Sequence, residues 1–105
     1  MLTSGKGKYK VWLEQKKMGK DLVYFLGGGE KPHIGGIVIC IPNKKPKVIK
    51  FKNHYDFIVL KLIAEAACKK YKKKVVTIGG IHIDNATKEE INIVVKNCKE
   101  LEKCI

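Results

Sequence analysis

From residue 8 to residue 17 apolar and polar side chains alternate, with Tyr9, Val11 and Leu13 set against Lys10, Trp12 and Glu14. A period of two is that of a strand. Met18-Gly19-Lys20-Asp21 supplies a turn, and Leu22 to Leu26 reads as a second strand buried on both faces. A glycine-rich segment, Gly27 to Gly36, separates this from a third apolar run, Ile37 to Ile41. Pro42 and Pro46 bracket a lysine-rich turn, and Val48 to Phe51 is a candidate short fourth strand. Consecutive strands with short connections predict an antiparallel meander.

From about His54 the period changes. Phe57, Leu60, Ala64, Ala67, Cys68 and Tyr71 trace one helical face, with Ile63 beside it. The lysines from Lys69 to Lys74 suit the negative end of that helix dipole. Val75 to Ile78 is a further strand, interrupted by Gly79-Gly80 and resumed by Ile81-His82-Ile83. Thr87-Lys88-Glu89-Glu90 has the spacing of a capping box, and a last helix follows with Ile91, Val94, Val95, Cys98 and Leu101 three and four apart. The fold class predicted is α+β, an antiparallel sheet of about five strands with two helices packed on it, in the order β-β-β-(β)-α-β-α.

A chain of 105 residues, 45% hydrophobic and 30% charged, suits one globular domain over residues 1–105, with residues 1–7 expected to be mobile. No apolar run approaches a membrane span and the N-terminus lacks a signal-peptide core, so the cytoplasm is the expected compartment. Cys40, Cys68, Cys98 and Cys104 form no C-x-x-C pair, and Cys68 and Cys98 fall on apolar helical faces as small hydrophobes. The net charge of +12 comes from 22 lysines and no arginine. That field attracts anions in general, yet it lacks the planar fork that reads guanine, which argues against sequence-specific nucleic-acid recognition.

Three segments carry candidate chemistry. In Gly27 to Gly36, read as a ten-residue loop, the glycines let backbone N–H groups converge on an anion, with His33 beside them. The loop is no Walker A motif, because it lacks the G-K-[ST] ending and leads into a strand. In His54-Tyr55-Asp56 the carboxylate either fixes the imidazole tautomer or serves the helix N-terminus, and on the residues alone the second role ranks first. The third segment is Gly79-Gly80-Ile81-His82. His33, His54 and His82 are all the histidines of the chain, and together they suit either a divalent metal or hydrogen bonds to a flavin or phosphate. A serine triad is not supported, since the one serine, Ser4, lies in the N-terminal stretch.

Taken in order, Gly28-Gly29-Glu30-Lys31-Pro32-His33-Ile34-Gly35, then His54-Tyr55-Asp56, then Gly80-Ile81-His82 with Thr87 five residues on, resemble the prenylated-flavin chaperone-like (LpdD-like) domain family. This family includes the small D subunit of gallate-type aromatic acid decarboxylases, and the resemblance runs from about Lys20 to the end of the chain. It implies a non-catalytic accessory protein that binds or delivers prenylated FMN, or FMN, for a UbiD-type decarboxylase. The catalytic subunit of such a flavin-dependent decarboxylase is then its expected partner. The ligand-contacting candidates become Gly28, Gly29, Lys31, His33, Gly35, His54, Asp56, Gly80 and His82. A fold akin to the proteasome-assembly chaperones, and hence a homodimer, is the further expectation. Two alternatives stand beside this reading. One is a metal protein or enzyme using His33, His54 and His82, and the other is an assembly-chaperone-like or basic nucleic-acid-binding module.

Overall fold

The computed structural model describes residues 1–51 and 56–105. In chain order the elements are β1 (Leu2–Ser4), a 3-10 turn (Gly7–Tyr9), β2 (Val11–Met18), β3 (Asp21–Gly29), β4 (Lys31–Cys40), β5 (Lys47–Lys50), α1 (Phe57–Tyr71), β6 (Val75–His82) and α2 (Lys88–Lys103). The α+β class and the two helices are as predicted. The sheet has six strands, because Leu2–Ser4, in the segment expected to be mobile, pairs with β2 as an edge strand.

The meander does not survive. The strand order is β1-β2-β3-β6-β4-β5, so β6 enters between β3 and β4. It runs parallel to β3 and antiparallel to β4. An antiparallel neighbour can be joined by a tight turn, whereas the parallel β3–β6 pair needs a crossover. Helix α1 supplies it, carrying the chain over β4 from β5 to β6.

The segment expected as a loop is therefore mostly strand. Gly27, Gly28 and Gly29 complete β3 and pair with Gly80, Ile81 and His82 of β6, while β4 already begins at Lys31. The break expected at Gly79-Gly80 is likewise absent, and β6 runs unbroken to His82. Gly79 has φ of 138°, and a Cβ there would fall on the carbonyl oxygen of Leu26 in β3. Only glycine lets the two strands approach so closely at that point.

The core lies between the sheet and the helices. Val11, Leu13, Leu22, Leu26, Val38 and Val75 meet Leu60, Ile63, Ala64 and Ala67 of α1 and Val94, Cys98 and Leu101 of α2. Each fully buried aliphatic side chain stabilises the fold by about 1.5–3 kcal/mol. Thr77 is the buried polar side chain of this layer, and its hydroxyl donates to the Leu60 carbonyl at 2.9 Å. The shortest dimension, 19 Å, is that of one sheet layer and one helix layer. Among the described residues no helix is long and apolar enough to cross a membrane.

Candidate functional site

The C-terminal end of β6, the first half of β4 and the start of α1 come together at one end of the sheet. On β4 the register against β6 jumps between Pro32, opposite Ile81, and Gly36, opposite Gly79. Extra residues in one strand make a bulge, which bends the strand and re-aims a side chain. Pro32 has no N–H to give a ladder and belongs at such an irregularity. The residue re-aimed here is His33, whose side chain is 25% exposed.

Asp56 stands just before α1, but its side chain makes no cap hydrogen bond. The carboxylate reaches across to the sheet instead. Its Oδ1 accepts the Ile81 N–H at 2.9 Å, and its Oδ2 lies 3.4 Å from His33 Nε2. Two glycines make room for it. A Cβ at Gly35 would fall on the carboxylate, and one at Gly80 would sit 3.0 Å from its Cγ. The role ranked first from sequence, service to the helix N-terminus, gives way to a link between α1, β4 and β6.

His82 ends β6. Its ring meets that of His33 edge-on, with centroids 5.8 Å apart and planes at 90°. Its Nε2 is 2.7 Å from Asp84 Oδ1, so the carboxylate favours the tautomer with the proton on Nε2. The segment carrying Asp84 is itself tied down. The Asp84 N–H donates to Glu30 Oε1 at 3.0 Å, and the Glu30 N–H donates to the His82 carbonyl at 2.7 Å.

These polar groups form one corner of a cleft of about 300 Å³ between the sheet end and α2. Val59, Ile81 and Ile83 line one side, and Ala86, Ile91, Val94 and Val95 the other. Beneath the corner, burial pushes the Cys98 thiol up to about 12, and the Asp56 charge adds to the effect. A thiol held so strongly protonated is packing rather than a nucleophile.

Of the residues singled out in sequence, His33, Asp56, His82, Gly35 and Gly80 are thus brought together. Gly28 backs onto the Lys10 carbonyl and Val11, and Gly29 onto the His82 carbonyl, so both serve close strand packing. Lys31 is exposed and is the register partner of His82. His54 lies outside the described residues. Among the described residues no group of three or more His, Cys, Asp or Glu side chains is arranged to hold a metal ion. Sequence reasoning missed Glu30, Asp84 and the apolar wall. The wall belongs to the same stripe that predicted α2, and Ile91 at its start, 51% exposed, is the sign that part of the stripe faces a cleft rather than the core.

Comparison with known proteins bears on the same residues. The family model of the prenylated flavin chaperone LpdD-like domain matches residues 5–105, reaching upstream of the segment where the motifs begin. Protein LpdD of Lactiplantibacillus plantarum is 27% identical over 108 residues, covering 98% of this chain and 79% of that protein.

Proposed function

This chain belongs to the prenylated flavin chaperone LpdD-like domain family, and from that premise we propose that it holds prenylated FMN in the His33–His82 cleft and passes it to a UbiD-type decarboxylase. The observation that carries the reading is the meeting of two imidazoles and a carboxylate at one corner of an otherwise apolar cleft. A flavin ring has the same division, with a hydrocarbon edge and a hydrogen-bonding edge. Pockets for such ligands are mostly apolar with a few placed polar groups.

The fit sets limits. A cleft of about 300 Å³ suits a ring system better than a whole nucleotide, so the ribityl phosphate of a bound flavin would lie outside it. Lys31, exposed and opposite His82 in the β4–β6 register, would offer a cation to that phosphate. The glycines contribute indirectly. Gly35 and Gly80 seat Asp56, whereas those of β3 have their backbone in the ladder with β6. When bound, the flavin brings its own chemistry, and the protein's part is to bind, orient and shelter it. His82, steadied by Asp84, presents its other ring nitrogen as an acceptor, and the apolar wall of α2 would shelter a bound hydrocarbon edge from water.

Titration of the purified chain with prenylated FMN and with FMN, followed by flavin fluorescence, tests this. His33→Ala and His82→Ala are each expected to weaken binding about tenfold, the loss of one good hydrogen bond in a sheltered site. Both are expected to slow activation of the decarboxylase apoprotein. No binding of either flavin, together with wild-type behaviour of His33→Ala in the activation assay, overturns the reading.

A further inference from the structure

At the end of the sheet away from the histidines, a second cavity of about 530 Å³ opens between the β4–β5 turn and the last turns of α1. Its floor holds Cys40, which closes β4 about 20 Å along the strand from His33, and Cys68 of α1, both buried. Its walls are basic. Lys44 stands on the turn and Lys69 and Lys72 at the helix end, and among the described residues none of the three has an ion pair. The acid on the wall, Glu65, already faces Lys61 at 3.8 Å. Like charges gathered round one hollow repel each other, and an anion held between them relieves that repulsion. The backbone gives a second, separate sign. Asn43, with φ of 64°, and Lys72, with φ of 54°, are two of the three described non-glycine residues with positive φ, and both line this cavity. Asparagine tolerates that conformation, but lysine is strained in it, and a helix commonly ends on glycine there. Lys72 nevertheless caps α1, its N–H donating to the Cys68 carbonyl at 2.9 Å. The opposite wall is fixed as well. It lies between Pro42 and Pro46, and the Lys44 N–H donates to the Ile41 carbonyl at 3.1 Å. Strained residues held by their surroundings gather at ligand sites.

We infer that this cavity binds a small phosphate ester or diphosphate, its oxyanions on Lys44, Lys69 and Lys72 and a compact apolar group against Pro42 and Pro46. Lysine is a compact point charge with three rotatable donors, which suits phosphate oxygens without the planar fork of arginine. The volume is that of a small-molecule site. A hollow with a buried floor selects a small ligand, whereas a polyanionic strand would engage the exposed lysines outside it, such as Lys20, equally well. The site stands at the far end of the sheet from the His33–His82 cleft. Its occupant is therefore a molecule separate from the flavin, and the inference is independent of the flavin reading.

Titration of the full chain with pyrophosphate and with phenyl phosphate, followed by calorimetry and by amide NMR shifts, tests this. Each probe should bind as a single equivalent, with the largest shifts at Asn43, Lys44 and Lys72. Lys44→Gln and Lys69→Gln should each weaken binding about tenfold, the loss of one charged hydrogen bond. Lys72→Gly should weaken it likewise while raising the thermal midpoint, because glycine is unstrained at that φ. A residue serving only the fold would not move the two readouts in opposite directions. Lys20→Gln, in the exposed β2–β3 turn at the same end of the sheet, should leave binding unchanged. FMN should leave phenyl phosphate in place. Binding of neither probe overturns the inference. So does an equal loss in Lys20→Gln and Lys69→Gln, which would mean a diffuse lysine field and no site. Displacement of phenyl phosphate by FMN overturns it too, since the anion would then share the flavin's site.

Discussion

The Asp56 carboxylate accepts the Ile81 N–H at 2.9 Å, stands 3.4 Å from His33 Nε2, and is 11% exposed on a seat of two glycines. Replacing it with alanine strands the Ile81 amide. Asp56→Ala should therefore cost about 1–3 kcal/mol in urea unfolding. Asp56→Asn keeps an acceptor for that amide and should cost less than about 1 kcal/mol, while removing the charge beside His33. Gly35→Ala should resemble Asp56→Ala, because its methyl group displaces the carboxylate, at about 1–3 kcal/mol for overpacking. Equal stability of all three variants in urea would contradict this assignment. The motif H-x-D showed where a helix begins. It did not show which strand amide comes within reach, because Ile81 lies 25 residues further along the chain.

At the scale of elements, the N-terminus of α2 shows the same division. The capping box was legible, and Thr87 and Glu90 exchange both hydrogen bonds as predicted. Its anchoring to the start of the chain was not. Lys8 Nζ reaches Glu90 Oε2 at 2.7 Å, the Tyr9 hydroxyl donates to the same oxygen at 3.0 Å, and Asn97 bonds the Tyr9 carbonyl. Lys8 first, then the Thr87 N–H and the Tyr9 hydroxyl, hold the Glu90 carboxyl down to about 2, below its ordinary 4.5. A carboxylate depressed in the folded state stabilises fully above its unfolded value, and loses that contribution as pH falls toward its folded one. Stability of the wild type should thus fall between pH 4.5 and 2, and Glu90→Gln should flatten that part of the profile. Thermal midpoints of both proteins across this range check it, and parallel profiles would remove Glu90 from the account. Thr87→Ala, which removes only the cap, should cost about 1 kcal/mol.

For the whole molecule, burial is the testable quantity. Cys40, Cys68 and Cys98 are buried and Cys104 is exposed. Burial, with the hydrogen bond that the Cys40 thiol donates to Cys68 second, pushes the Cys40 thiol up to about 11, and Cys98 stands at about 12. The native protein should therefore release one equivalent with a thiol reagent at neutral pH, from Cys104, and four after denaturation. Rapid reaction of two or more thiols in the native state would mean that the two-layer packing is wrong. The two layers also give the molecule its two surfaces. The cleft opens at one end of the helix side, and the outward side chains Phe25 of β3, Ile78 of β6 and Ile37 of β4 lie on the reverse.

The sequence by itself determined what depends on near neighbours. Alternation marked β2, the three- and four-residue spacing marked α1 and α2, and the threonine and glutamate of the capping box placed the start of the second helix. The two histidines and the aspartate of the cleft were likewise named from their motifs. Only the tertiary structure decided that β6 lies between β3 and β4, that the glycine segment is two strand ends and not a loop, and that Asp56 serves the sheet. Strand neighbours are chosen by contacts between distant parts of the chain, and a run of glycines is compatible with a turn, a bulge or a close strand crossing. Which of these it becomes depends on what packs against it, here the Leu26 carbonyl, the Trp12 ring and the Asp56 carboxylate.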